Sequence, residues 1–188
     1  PYNYLQIQAG VGYTVGEIDF SDLLSPAAQI SWGRQFSPIQ GMRIGLGGWQ
    51  NKGGWTNPYN DYKYNYIALN ADYLVNITNL FREWRPAYRF NLNALVGIAG
   101  NLSFNNDEAN DLEAMNFNGI KENFDHLWDG SKFRPVGRMG LIGDLRCTDR
   151  VSINLEFNAN IVSDHYNSKH ADNADWYFNA LAGLSYKF

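Results

Sequence analysis

Groups able to do chemistry fall in two kinds of place in this 188-residue sequence. His126, His165 and His170, the run Ser163, Asp164, His165, and the acidic cluster Asp107, Glu108, Asp111 and Glu113 lie in polar stretches. Arg43, Asp72, Arg138 and Glu156 instead lie inside runs where apolar and polar residues alternate. Serine, aspartate and histidine are the groups of acyl transfer, but adjacency along a loop does not give a nucleophile and a base their mutual geometry. The acidic cluster lacks the glycine-centred spacing of a calcium loop and reads as a solvated helical face. Cys147 is the single cysteine, so no intrachain disulfide and no Cys/His zinc spacing exists. The chain is therefore expected to carry no catalytic, cofactor or metal site. The four strand-borne charges are different, because buried charge persists only when paired and hydrogen-bonded. Two arginines and two carboxylates on one register predict a salt-bridge network.

The elements that position them show a period of two, the mark of strands with unlike faces. In the last stretch Trp176, Phe178, Ala180, Ala182, Leu184, Tyr186 and Phe188 alternate with Tyr177, Asn179, Leu181, Gly183, Ser185 and Lys187. Similar runs are read at Tyr4–Val15, Ala28–Phe36, Met42–Gln50, Tyr62–Val75, Tyr88–Asn101, Pro135–Leu145 and Val151–Ile161. Met42, Ile44, Leu46 and Gly48 share one face of the third run, opposite Arg43, Gly45, Gly47 and Trp49. Leu95 breaks the pattern of the fifth. Short connections at 37–41, 76–86 and 146–150 alternate with long ones at 16–25, 51–61, 102–134 and 163–175.

Mean hydropathy is negative, at -0.40. The longest apolar run, Ala94 to Gly100, is far too short for a membrane-crossing helix. Twelve tyrosines, eleven phenylalanines and six tryptophans suit interfacial belts, and a net charge of -4 offers nucleic acid no general attraction. Even strand number, alternating connection length and one apolar face per strand predict a single all-β domain over residues 1–188. The expected architecture is an eight-stranded antiparallel up-and-down transmembrane β-barrel with short periplasmic turns and long outer loops. Glycine, asparagine, arginine and carboxylates on the polar register suit a narrow hydrated interior better than a solvent surface.

Several segments resemble the N-terminal barrel of OmpA-type outer-membrane proteins of Gram-negative bacteria, a group that includes OmpX-like small barrels. They are LQIQAGVGY, WGRQFSPIQGMRIGLGG, YNYIALNADYLVNITN, LRCTDRVSINLEFNANIV and the ending AGLSYKF. The resemblance implies a bacterial outer-membrane location with both termini periplasmic, outer-membrane lipids and lipopolysaccharide as surroundings, and assembly by the barrel-insertion machinery. Leu184, Tyr186 and Phe188 then correspond to the insertion signal.

The expected role is structural or one of protein interaction, with Arg43, Asp72, Arg138 and Glu156 closing the lumen. A lipid A-modifying enzyme and a narrow small-solute channel are the alternatives. The third outer loop, 102–134, is roughly twice the usual upper length and is expected to be partly helical. Ile120, Phe124, Leu127 and Trp128 would share one helical face. That stripe is expected to cap the barrel mouth or to dock on another outer-membrane protein.

Overall fold

The structure is a computed structural model that describes residues 1–15, 21–56, 59–82, 89–104, 132–162 and 175–188. The strands are β1 (Tyr2–Thr14), β2 (Leu24–Gln35), β3 (Gln40–Thr56), β4 (Tyr59–Asn76), β5 (Phe90–Phe104), β6 (Lys132–Arg146), β7 (Val151–Val162) and β8 (Asp175–Lys187). A short helix, α1 (Ile77–Phe81), follows β4. Each strand pairs antiparallel with its sequence neighbours, and β1 closes on β8 with Ile7 opposite both Ile30 and Leu184. The sheet therefore has no free edge over its closed height, which satisfies its backbone without water.

The two registers take opposite environments. On β7, Ile153, Leu155 and Phe157 are exposed on the outer wall, whereas Asn154, Glu156, Asn158 and Asn160 are buried inside. The same inversion runs round the barrel, from Ile7 and Ile30 to Leu69, Ile98 and Leu184 outside, against Gln8, Gln29, Asn70 and Arg138 inside. So continuous an apolar belt is far larger than a soluble surface exposes. Hydrocarbon is the medium that covers it, and no helix among the described residues is long and apolar enough to cross a membrane itself. Phe36, Tyr73, Phe90 and Tyr186 on the turn side, and Trp49, Phe133 and Phe178 on the loop side, are exposed as interfacial aromatics.

Short polar side chains shape the turns. Ser37 Oγ accepts from Ile39 N and Gln40 N at 3.2 and 3.0 Å, and Thr148 Oγ1 accepts from Arg150 N and Val151 N at 3.2 and 2.9 Å. The connection after β4 begins as a helix because Asn76 caps it, its Oδ1 accepting from Asn79 N at 2.8 Å. Asn79 in turn donates to Pro38 O at 2.8 Å, tying this connection to the neighbouring turn.

Three expectations are corrected. The described residues of 51–61 are strand and not loop: β3 runs to Thr56 and β4 starts at Tyr59, paired from Gln50 opposite Asn65 to Thr56 opposite Tyr59. Ladder bonds are made by backbone, so Gly and Asn content does not stop a hairpin from zipping. Trp49 does not face inward with Arg43 but lies exposed on the outer wall, because the backbone turns at Gly48 and Trp49. Leu95 is no flaw in the pattern: it is buried inside with Leu74 and Ile142, and Tyr4 packs against them as an apolar layer across the lumen. The expected helix within 102–134 lies outside the described residues.

An arginine at Ile98, 71% exposed on the outer wall well inside the apolar belt, tests the membrane setting. Ile98→Arg should destabilise the barrel in vesicles by about 2–4 kcal/mol, as a lipid-facing charge near the midplane does. Urea unfolding of vesicle-embedded protein measures it. A change near zero would mean that this face meets water.

Candidate functional site

Strand register alone lines up three of the four expected charges. Arg43 on β3 stands opposite Asp72 on β4, Asp72 opposite Gly97 on β5, and Gly97 opposite Arg138 on β6. Gly97 leaves the space that this row needs, since a Cβ there would stand 2.3 Å from Asp72 Oδ1 and 2.5 Å from Ala71 O. Glu156 reaches the row from β7, on the opposite wall from Arg43.

Arg43 uses all five of its N–H donors. Nε and Nη2 donate to Asp72 Oδ2 at 3.1 and 2.6 Å, and Nη1 and Nη2 donate to Glu156 Oε2 and Oε1 at 2.7 and 3.1 Å. The remaining Nη1 proton goes to Gln6 Oε1 on β1 at 2.8 Å. Arg138 completes the charge balance, with Nε 3.2 Å from Asp72 Oδ1 and Nη2 3.6 Å from Glu156 Oε1. The first of these is an ion pair without hydrogen-bond alignment, because neither atom has a bonding partner. All four side chains are sealed from solvent or nearly so. Two positive and two negative groups give a neutral cluster, the condition under which such burial is sustainable.

The network extends through amides that the charge pattern did not single out. Asn158 donates to Glu156 Oε1 at 2.9 Å, and Asn160 and Asn179 donate to Asn158 Oδ1 at 2.7 and 3.2 Å. Gln29 Oε1 accepts from Asn70 at 2.9 Å and from Arg138 Nη2 at 3.4 Å. Gln29 donates to Gln8, which donates to Asn154, which donates to Ser185, at 3.2, 2.8 and 2.9 Å. Every one of these lies on the inward register, so alternation already marked them.

A cavity of about 770 Å³ occupies the turn end of the barrel. Tyr2, Tyr4, Leu74, Ile142 and Asp144 are among its walls, and it reaches as far as Gln6. Asp144 accepts from Asn93 at 2.8 Å. At the rim Lys187 Nζ sits 3.9 Å above the Tyr2 ring. In the turn after β6, Arg150 donates to the Tyr186 hydroxyl at 3.3 Å, a bond that raises its guanidinium pKa.

Of the other candidate residues, Leu184, Tyr186 and Phe188 are exposed along the outer face of the closing strand, and Phe188 N donates to Asn3 O at 3.0 Å. Ile120, Phe124, Leu127 and Trp128 lie outside the described residues, as do the three histidines and the acidic cluster. No metal-binding group of His, Cys, Asp or Glu occurs among the described residues.

Removing one cation from the cluster should cost more than removing a neutral pair. Arg43→Met strands a net negative charge and is expected to destabilise the barrel by about 3–5 kcal/mol. Arg43→Met with Glu156→Gln leaves Asp72 and Arg138 as a neutral pair and should recover part of that loss. Urea midpoints of the two variants decide. A double variant weaker than the single one would show that charge balance is not what the network supplies.

No protein-family model and no curated protein sequence matches the chain. Solved structures do. Neisserial surface protein A aligns over 99% of this chain and 97% of its own at TM-score 0.61 and 10% identity. Ail, the attachment invasion locus protein of Yersinia pestis, aligns over 100% and 98% at TM-score 0.56 and 12% identity, in a structure with the heparin analogue sucrose octasulfate. The N-terminal β-barrel domain of Pseudomonas aeruginosa OprF aligns over 98% and 97% at TM-score 0.52 and 12% identity. Likeness at these identities is likeness of fold, and the fold of this chain is that of the small OmpA- and OmpX-like eight-stranded barrels of bacterial outer membranes.

Proposed function

We propose that this protein is an integral outer-membrane barrel with a structural or protein-contact role, its lumen closed and its long loops presented outside the cell. Both termini and the short connections lie in the periplasm, since an even strand count puts the termini on one side and short turns belong there. It is not an enzyme. The observation that carries the closed lumen is Arg43, which spans the interior from Asp72 on one wall to Glu156 on the other and takes Gln6 from a third direction. An interior filled by five hydrogen bonds at one level, with an apolar layer of Tyr4, Leu74, Leu95 and Ile142 beside it, leaves side chains where a channel needs water.

Outer-membrane lipids and lipopolysaccharide surround the barrel. The insertion machinery reads the closing strand through Leu184, Tyr186 and Phe188. Contact with another outer-membrane protein falls to the third outer loop, through Ile120, Phe124, Leu127 and Trp128.

Planar-bilayer recording is the test. The wild-type barrel should conduct poorly, and Glu156→Ala or Arg138→Ala should raise conductance; open wild-type channels, or two silent variants, would sink the plug. In intact cells, added protease should cut within 102–134 and spare 147–150. Lipid A from a strain lacking the protein should keep its acylation pattern, which an acyl-modifying enzyme would not allow.

A further inference from the structure

One cation lies on the lipid-facing wall itself. Ile30, Trp32 and Arg34 of β2, with Phe36 just beyond the strand, follow the outward register, and all four are exposed. A charge on a wall that meets hydrocarbon must find an opposite charge or extend to the headgroup level. The neighbouring strands offer Arg34 no charge. Asn3 of β1 stands opposite it on one side and Met42 of β3 on the other. The carboxamide oxygen of Asn3 is buried without a hydrogen-bond partner, so the guanidinium does not donate to it. Among the described residues Arg34 joins no ion pair.

The rest of the turn end has the same character. The connection through α1 is tied to the β2–β3 turn by the bond from Asn79 to Pro38 O, and it leaves Leu80 and Phe81 52% and 80% exposed. Arg82 follows them and is exposed too. Apolar side chains presented beside an arginine suit a segment lying at the headgroup boundary. Arg89, Arg150 and Lys187 are exposed further round the rim, where Asp149 is the exposed acidic side chain among the described residues. Cations are in excess at this end.

We propose that Arg34 receives the phosphate of an anionic phospholipid in the leaflet at the turn end, with Trp32 and Phe36 against the lipid on either side. The guanidinium fork matches two oxygens of one phosphate, and aromatic rings suit the level at which headgroup meets acyl chain. Phosphate is common to anionic and zwitterionic lipids, but the positive rim favours a lipid of net negative charge. The inference deepens the proposed function and rests on its placing of this wall in a bilayer, and it names the lipid class that the turn end takes.

Native mass spectrometry of the purified full chain in detergent, with phosphatidylglycerol and phosphatidylcholine of the same acyl chains as probes, tests the contact. Wild type should retain phosphatidylglycerol about tenfold more than phosphatidylcholine, and Arg34→Gln should lower that retention about tenfold, as loss of charge-assisted bonds does. Lys52→Gln removes a cation from the loop end of β3 and should leave retention unchanged. Inorganic phosphate at the same concentration should not displace the lipid, because it has no chains for Trp32 and Phe36 to hold. Heat-modifiable gel mobility checks that each variant is a folded barrel. Equal retention of the two lipids, undiminished retention by Arg34→Gln, an equal loss in Lys52→Gln or displacement by inorganic phosphate would overturn the contact. Binding in detergent depends neither on the lumen nor on insertion direction, so open wild-type channels, or protease cleavage within 147–150 in intact cells, would refute the proposed function while leaving this result standing.

Discussion

Hydrocarbon accepts no hydrogen bonds, and from that single constraint most of this molecule follows. A sheet in such a medium must close on itself, as β1 does on β8. Closure with eight strands leaves an interior about as wide as the side chains that fill it. Polar groups on the inward register then find their partners largely in one another. The chains of amides from Gln29 through Gln8 to Ser185, and from Asn179 through Asn158 to Glu156, are the result. The outer wall carries no such demand and needs only to be apolar.

Strand number, strand order and the inward or outward assignment of most residues were legible in the sequence because a period of two survives even where individual residues are weak strand formers. The four charges were legible for a related reason: each is costly in an interior unless the others are present. Leu95 was harder to read, since a single apolar residue on the polar register gives no hint that Leu74 and Ile142 meet it from neighbouring strands. Trp49 was misassigned because alternation presumes an unbroken pleat, and two successive positive φ angles break it. The length of the β3–β4 hairpin was hidden by composition, since backbone pairing is indifferent to the glycines and asparagines that elsewhere signal a loop.

The interior is layered. From the turn end a wide cavity gives way to tyrosine and aliphatic side chains, then to the ion network, then to amides and to Tyr66 packed edge-on against Tyr177 with 6.2 Å between ring centroids. An apolar layer beside the charges lowers the local dielectric and so strengthens every bond Arg43 makes, while raising the cost of any that is missing. Rigidity at that level and openness at the turn end are two sides of one arrangement.

The pairing of the charges also divides by distance along the chain. Arg43 and Asp72 belong to one hairpin, 29 residues apart, and Arg138 and Glu156 belong to another, on β6 and β7. Each hairpin thus brings one arginine and one carboxylate to the network before the two meet. The bonds from Arg43 to Glu156, 113 residues apart, form only when opposite walls come together. The network thus joins two local pairs through bonds that need opposite walls of the closed barrel to face each other. Contacts local to a hairpin and contacts across the barrel are therefore two separable parts of one cluster, and only the second depends on closure.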